Sequence, residues 1–478
     1  GAERASRSLA AAIAQETGGA IESATQRDKL LTYLRTECDY DPGDLKGGTI
    51  AALLKGELDP KVRRLLTNRK QAAATSPAKY QVLLNAACRD RRLRGLLQYC
   101  GASRTGRWGG RLFQPQNLPR PSLLWPDIEL GIDALLAQME DVLFDQPMDL
   151  ITSAIRSALV AEEGKKLVIA DLSNIEGRML AWMADEQWKV TAFREFDAGI
   201  GHDLYVLAYA RSFGVSPEAV LDNKKNGDGK MRQVGKVQEL ALGYQGSIGA
   251  FLSMGAIYGI SMPEDEALAI VKAWRKAHSS IVSFWYDLDR KVKQAVREPG
   301  KTIEHGPIRL RVDHHWLRLR LPSGRYLSYP GVAVHGGRCS ECNGEGFIVV
   351  EPSEDHPGAY VICDACEGKG RHPETIWYSG VNQYTRKWQR IQTYGGKLTE
   401  NLVQAASRDV LAANMQTAED KGYPICLHVH DELITETPDE ARFSSDELEA
   451  IMATNPAWSI GLPLAAGGYE THRYRKEQ

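Results

Sequence analysis

The sequence predicts an α+β fold built from several subdomains, with a small metal-stapled insertion late in the chain. Three observations predict it. Residues 1 to 100 and 188 to 300 read as helices broken by Gly and Pro, while "KKLVIADLS" (165–173), "IRLRVDHHWLRLRLPSGRYLSYP" (308–330) and "ICLHVHDELITETP" (425–438) read as strands and hairpins. "CSECNGEG" (339–346) is then answered by "CDACEGKG" (363–370), two Cys-x-x-Cys pairs each trailed by Gly-x-Gly. At 478 residues the chain exceeds the usual domain length several times over, so two or three subdomains around a cleft are expected.

Composition narrows the class without naming it. The formal charge of -2 gives no global argument for nucleic acid, so an anion-binding surface must come from local clusters of Lys and Arg. "GAERASRSLAAAIAQETGG" carries charge early and then small residues, which is not a secretory signal. The long uncharged window Leu240 to Met262 holds several Gly, three Ser and Gln245, a poor composition for a bilayer span. In a long chain without a signal, the Cys-x-x-Cys pairs favour metal over disulfides and a reducing compartment. Cys38, Cys88, Cys100 and Cys426 read as core or surface thiols.

The elements follow in order. "QRDKLLTYLRTE" (26–37) and "ACRDRRLRGLLQY" (87–99) have amphipathic helical spacing. The glycines and prolines of "GASRTGRWGGRLFQPQNLPRPSLLWPD" (101–127) forbid a long helix. "KKLVIADLS" is a buried strand ending in a carboxylate, and "NIEGRMLAWMADEQW" (174–188) is helical. The Pro-Ser-Gly within 308–330 signals a hairpin. "GGKLTENLVQAASRDVLAANMQTAED" (395–420) is a helix, and alternation on both sides of His430 and Asp431 puts that pair at a hairpin bend.

Asp171 ends one strand and Asp431 lies in the bend of another. If the strands are neighbours in one sheet, the two carboxylates converge at its edge, where they can hold divalent metal against a phosphate chain. Taken singly, each is more often a helix cap or turn former. Between them, Arg232, Lys236, Leu240 and Tyr244 recur every four residues and form one helix ridge, cations first and an aromatic last. Such a ridge suits a triphosphate and a stacked base, although spacing alone more often marks a solvated basic stripe above a buried Tyr.

"DLSNIEGR" (171–178), "RQVGKVQELALGYQG" (232–246) and "HDE" (430–432), in that order, resemble motifs A, B and C of the family A, Pol I-like DNA polymerases, in their phage and prophage branch. "TGRWGGRLFQPQNLPRP" (105–121), "LRLPSGRYLSYPG" (319–331) and "YGGKLTENLVQAASRD" (394–409) agree, so the resemblance runs from about residue 25 to the end. It implies a right-hand polymerase fold: palm antiparallel sheet, helical fingers and thumb. The expected division is thumb and N-terminal helices at 1–100, first part of the palm with motif A at 101–186, and fingers with motif B at 187–334. A zinc-binding insertion at 335–375 and the second part of the palm with motif C at 376–478 complete it.

The resemblance implies template-directed addition of dNTPs to a primer 3′-hydroxyl by two-metal phosphoryl transfer, as in phage genome replication. Asp171 and Asp431, with the backbone carbonyl of Leu172, would bind two Mg²⁺ ions, with Mn²⁺ an alternative, and Glu432 would be an auxiliary acid. Arg232 and Lys236 would hold the triphosphate, Leu240 and Tyr244 would lie along the nucleotide, and Glu176 would exclude a ribose 2′-hydroxyl. Arg107, Gln116, Asn117, Asn401, Gln404 and His430 would contact primer–template DNA. The pattern departs from the family at Leu240, commonly aromatic, at Gln245, often Gly, at Tyr205, often His, and at Glu400, often Asn. Leu240 bears on the sugar-face contact and on dideoxynucleotide behaviour, and the departures together bear on rate and selectivity more than on reaction type. The resemblance implies no exonuclease part ahead of residue 100, and a monomer acting in the cytoplasm of a bacterial host cell.

Cys339, Cys342, Cys363 and Cys366 have the C-x2-C-x20-C-x2-C spacing of a tetrahedral zinc site, and each Gly-x-Gly permits a tight turn beside the metal. The repeat resembles the zinc units of DnaJ-type chaperones, in half their usual number. His335 and His372 lie nearby, as solvated loop histidines in the simpler reading and as substitute ligands in the other. In the polymerase frame the segment is an insertion that braces a loop or meets DNA or a replication protein. The rival readings are a metal-dependent nuclease on the same carboxylates and a zinc-based protein-binding module on an inactive scaffold. A nuclease needs neither a nucleotide-binding helix nor a sugar gate.

Overall fold

The computed structural model describes residues 2–73, 77–350 and 359–475, so residues 351–358 of the expected insertion and 476–478 lie outside the described ones. The order of elements follows from where apolar residues fall. Four helices, Ala2–Glu16, Arg27–Glu37, Gly47–Leu53 and Pro60–Ala72, bury Ile13, Leu30, Leu34, Ile50, Leu65 and Leu66 in a core of their own. Asp59 caps the last of them through the amides of Lys61 and Val62.

The expected amphipathic helix at 87–99 is a correction: the helix Ala78–Ala86 stops and an irregular segment follows, with a short strand only at Leu97–Gln98. Ion pairs decide against the helix. Arg92 reaches both Glu162 and Glu436 at 2.6 Å, Asp90 takes Arg94 at 2.7 Å, and Arg91 and Gly95 sit at positive φ. The Arg92 charge that would sit on a helix face is spent on Glu162 and on Glu436 of a distant strand.

A four-stranded antiparallel sheet has the order Ile425–Val429, Glu432–Pro438, Lys165–Leu172, Ala466–Thr471. The uninterrupted apolar run Leu167–Ala170 within Lys165–Leu172 suits a central strand covered on both faces. Val168, Ala170 and Leu172 enter the main core on one side, and Leu167 and Ile169 a smaller core on the other. The helix Ile175–Met183 follows directly, a break at 184–186 separates it from Gln187–Asp197, and Gly395–Asp420 packs against the first as one long helix.

Residues 204–297 are helical apart from short connections. Leu204–Phe213 and Lys230–Leu242 approach so closely that a Cβ on Gly235 would lie 2.0 Å from the Tyr205 carbonyl oxygen, which explains the glycine inside that helix. The alternating segment 308–330 is richer than one hairpin. Ile303–His305, Ile308–Asp313, Trp316–Arg320 and Tyr326–Pro330 form a four-stranded meander whose alternate residues Leu310, Val312, Leu317 and Leu319 are buried.

The cysteine segment closes on itself. Ala333–Arg338 pairs antiparallel with Arg371–Val381, Arg338 stands opposite Arg371, and the Cys339 amide donates to the Gly370 carbonyl at 2.9 Å. Between them lie the four cysteines and a small hairpin, Phe347–Val350 with Ala359–Ile362. Arg371–Val381 then pairs with Trp388–Thr393, which leads into the long helix.

Candidate active site

The two expected aspartates come to one edge of the sheet. Glu432–Pro438 lies beside Lys165–Leu172 with Glu432 opposite Asp171, and the Leu172 amide donates to the Asp431 carbonyl at 3.1 Å. His430 and Asp431 are the two turn residues between Ile425–Val429 and Glu432–Pro438, with His430 at φ 58. Asp171 and Asp431 therefore stand at the same end of adjacent strands, both half-buried. Two carboxylates and backbone carbonyls at one sheet edge are an all-oxygen donor set suited to hard divalent cations. Glu432 behaves differently: it is 2% exposed and accepts the Tyr474 hydroxyl at 2.6 Å, with the Arg156 guanidinium donating to the same hydroxyl at 3.1 Å. Burial and the Glu432 charge push the Tyr474 hydroxyl above its ordinary range.

The motif B helix Lys230–Leu242 buries Val234, Gly235, Val237, Gln238 and Leu242, which leaves Arg232, Lys236 and Leu240 on the opposite side. Arg232 Nε donates to Asp203 at 2.9 Å and its guanidinium sits 5.2 Å from the Tyr205 ring. Lys236 Nζ lies 4.4 Å from the centre of the Tyr258 ring, and burial, then the cations of Arg232 and Arg120, hold its ammonium below the usual lysine range. Leu240 is 43% exposed. Asp203, Tyr258 and Arg120 were not singled out from sequence. The legible signal was Asp203 as a helix cap, since its carboxylate also takes the amides of Tyr205 and Val206.

Glu176 is held from two sides. Arg107 donates to one carboxylate oxygen at 2.8 Å and the Tyr244 hydroxyl donates to the other at 3.1 Å. Burial and the neighbouring Glu176 push Tyr244 well above its ordinary range, so it stays a neutral donor. Gln245 stands at φ 65, the left-handed region that favours Gly, and its side-chain oxygen accepts the Gly396 amide at 2.9 Å. Gly396 permits that approach, because a Cβ there would lie 2.5 Å from the Tyr244 carbonyl oxygen.

The remaining expected DNA contacts divide. Asn401 is a correction: it is 4% exposed and donates to the Tyr329 hydroxyl at 3.0 Å, so it braces the core instead of facing the cleft. Gln404 lies half-buried one turn on from Glu400, which also pairs with Lys397 at 2.7 Å. His430 Nε2 meets the Gln116 carbonyl at 3.1 Å, tying the motif C turn to the loop of Gln116 and Asn117, whose Nδ2 donates to Gln114 at 2.9 Å. Arg325 was also missed. It bonds Asp409 at 2.9 Å, the Thr105 carbonyl at 2.8 Å and the Ala405 carbonyl at 2.9 Å, fixing the loop that carries Arg107 to the long helix.

The four cysteine sulfurs are buried and lie within 4.8 Å of one another. Cys339 and Cys363 are 3.8 Å apart and Cys342 and Cys366 3.6 Å, against about 3.8 Å for the edge of a tetrahedron with ~2.3 Å metal–sulfur bonds and ~2.05 Å for a disulfide. The Gly346 and Gly370 amides donate to Cys342 and Cys366 at 3.3 and 3.2 Å.

The chain is 36% identical over 445 residues to the DNA polymerase of Bacillus phage SP02, covering 90% of this chain and 61% of that protein. Over nine tenths of its length the chain is thus similar to a phage DNA polymerase. It spans about three fifths of that phage relative's length. A shorter match, 29% identical over 136 residues, covers 27% of this chain and 13% of the thermostable DNA polymerase I of Thermus thermophilus. Among solved structures, the POL domain of Pol1 from M. smegmatis, in complex with DNA primer-template and dNTP, has a TM-score of 0.58 and 16% identity. It covers 98% of this chain and 64% of that one, which makes the fold a right-hand polymerase domain. A stretch of 72 residues is 43% identical to the UvrABC system protein A of Xylella fastidiosa, over 14% of this chain and 7% of that protein. No family model matches. Among the described residues, no helix is long and apolar enough to cross a membrane.

Proposed function

We propose that this family A domain is a template-directed DNA polymerase that adds dNTPs to a primer 3′-hydroxyl in phage genome replication. The observation that carries it is the union of three parts: Asp171 and Asp431 at one sheet edge, a helix with Arg232 and Lys236 on its open side, and Glu176 clamped by Arg107 and Tyr244. Asp171, Asp431 and the Leu172 carbonyl would hold the divalent ions, Mg²⁺ or Mn²⁺. When bound, such ions lower the pKa of the attacking hydroxyl and neutralise the leaving pyrophosphate. Arg232 and Lys236 neutralise the triphosphate as its charge redistributes. Asp203 holds Arg232 in place until the nucleotide arrives. Tyr244 orients the Glu176 carboxylate across the space a 2′-hydroxyl would need, and Leu240 supplies an aliphatic contact to the sugar.

Arg107, Gln116, Asn117, Gln404 and His430 serve the primer–template, and Glu432, through Tyr474 and Arg156, anchors the turn of Asp431. The division into thumb, palm, fingers and insertion follows the boundaries given above, with zinc at Cys339, Cys342, Cys363 and Cys366 and a replication protein as a partner of the insertion. The enzyme acts as a monomer in the host cytoplasm.

Primer extension with four dNTPs and Mg²⁺ tests the reading. Wild type should extend, and Asp431→Ala should lose at least about a hundredfold in rate, as when a preorganised charge-stabilising group is removed. A wild type that does not extend, or an Asp431→Ala variant that extends normally, overturns it.

A further inference from the structure

We propose that the hairpin formed by Arg371–Val381 and Trp388–Thr393 binds the single-stranded template ahead of the insertion site; this rests on the polymerase reading. Its position comes first. The hairpin's last strand runs through Tyr394 into Gly395 and Gly396, and Gly396 abuts the corner of Tyr244 and Gln245, its amide 2.9 Å from Gln245 Oε1. A template strand leaving the base beside Tyr244 therefore meets this hairpin. Arg104, from the loop of Arg107, donates to the Val381 carbonyl at 3.3 Å, which places the tip beside the same cleft.

The two faces of the hairpin differ. Ile376 and Tyr378 are 1% and 5% exposed on the core side. On the other face the register sets Trp388 opposite Val381, Arg390 opposite Ser379 and Gln392 opposite Trp377. Tyr384 at the tip is 94% exposed, Trp388 66% and Tyr394 48%. Arg386, Lys387 and Arg390 lie among these rings, and no carboxylate occurs from Thr375 to Thr399. The tip is preordered: Asn382 Oδ1 accepts the amides of Tyr384 and Thr385 at 2.8 and 3.0 Å. Exposed rings interleaved with cations and free of acid are the chemistry that stacks unpaired bases and tracks their phosphates.

The test compares primer–templates that carry a long single-stranded 5′ template overhang with ones that carry a single unpaired nucleotide. Wild type should bind the long overhang more tightly. The Tyr384→Ala/Trp388→Ala double variant should lose roughly tenfold or more on it and nothing on the short one, given the cost of removing stacked rings. Tyr384→Phe/Trp388→Phe should keep the preference, because a stacking surface remains. Equal losses on both substrates, loss in the Phe variant, or no wild-type preference for the long overhang would each overturn the proposal, the last leaving the face to an acidic protein partner. Failure of wild type to extend either substrate would instead overturn the polymerase reading.

Discussion

At the scale of residues, the sharpest consequence concerns Glu176. Its carboxylate is held by two donors, Arg107 and Tyr244. Glu176→Ala should raise the ratio of ribonucleotide to deoxyribonucleotide incorporation about tenfold or more, measured by competing rNTPs and dNTPs in primer extension; an unchanged ratio would remove the gate role. The placement of Asp171 and Asp431 at one sheet edge, and of Arg232 and Lys236 on one side of a helix, was legible from strand ends and a four-residue spacing. Asn401 was misplaced for a physical reason: polar residues on a long helix give no sign of which side meets a Tyr hydroxyl, and Tyr329 is distant in sequence. Arg325 was invisible for the same cause, since its partners Thr105, Ala405 and Asp409 belong to two other segments.

At the scale of elements, the motif B helix is anchored from behind as well as presented in front. Glu239 pairs with Lys189, accepts the Trp274 indole at 3.0 Å and lies 3.1 Å from His278, whose ring stacks on Trp274 at 4.0 Å. Burial alone would push the Glu239 carboxyl up, but the Lys189 ammonium and the His278 ring outweigh it and hold it below the usual carboxylate range. A lowered folded-state value means stability that is fully present above the ordinary value of 4.5 and is lost progressively as pH falls from there through the lowered folded value. Glu239→Gln should therefore cost about 3–5 kcal/mol at pH 7, the penalty of leaving Lys189 buried and unpaired. The gap from wild type should narrow below about pH 4.5 in urea unfolding; a gap that is constant with pH would exclude the charge as its cause. Strand Lys165–Leu172, the hairpin around His430 and helix Gly395–Asp420 were readable because each pattern is local and long. Segment 87–99 was not, because its charges answer to Glu162 and Glu436 across the fold.

At the scale of the whole molecule, the cysteine segment stands apart from the main core: among the described residues its buried cluster is the four cysteines. Purified protein should carry about one zinc per chain. Replacing all four cysteines with Ser should abolish that metal while leaving the urea-unfolding midpoint of the rest nearly unchanged; metal analysis and unfolding curves check both. Absence of zinc under reducing conditions, or collapse of the main fold in the Ser variant, would contradict this. The pairing of Arg338 with Arg371 has another consequence. The chain leaves and rejoins the polymerase frame at one rung of one ladder, so everything between can be exchanged for a tight turn without moving either flanking strand. The segment is in effect a cassette, joined to the rest of the fold where Arg338 faces Arg371.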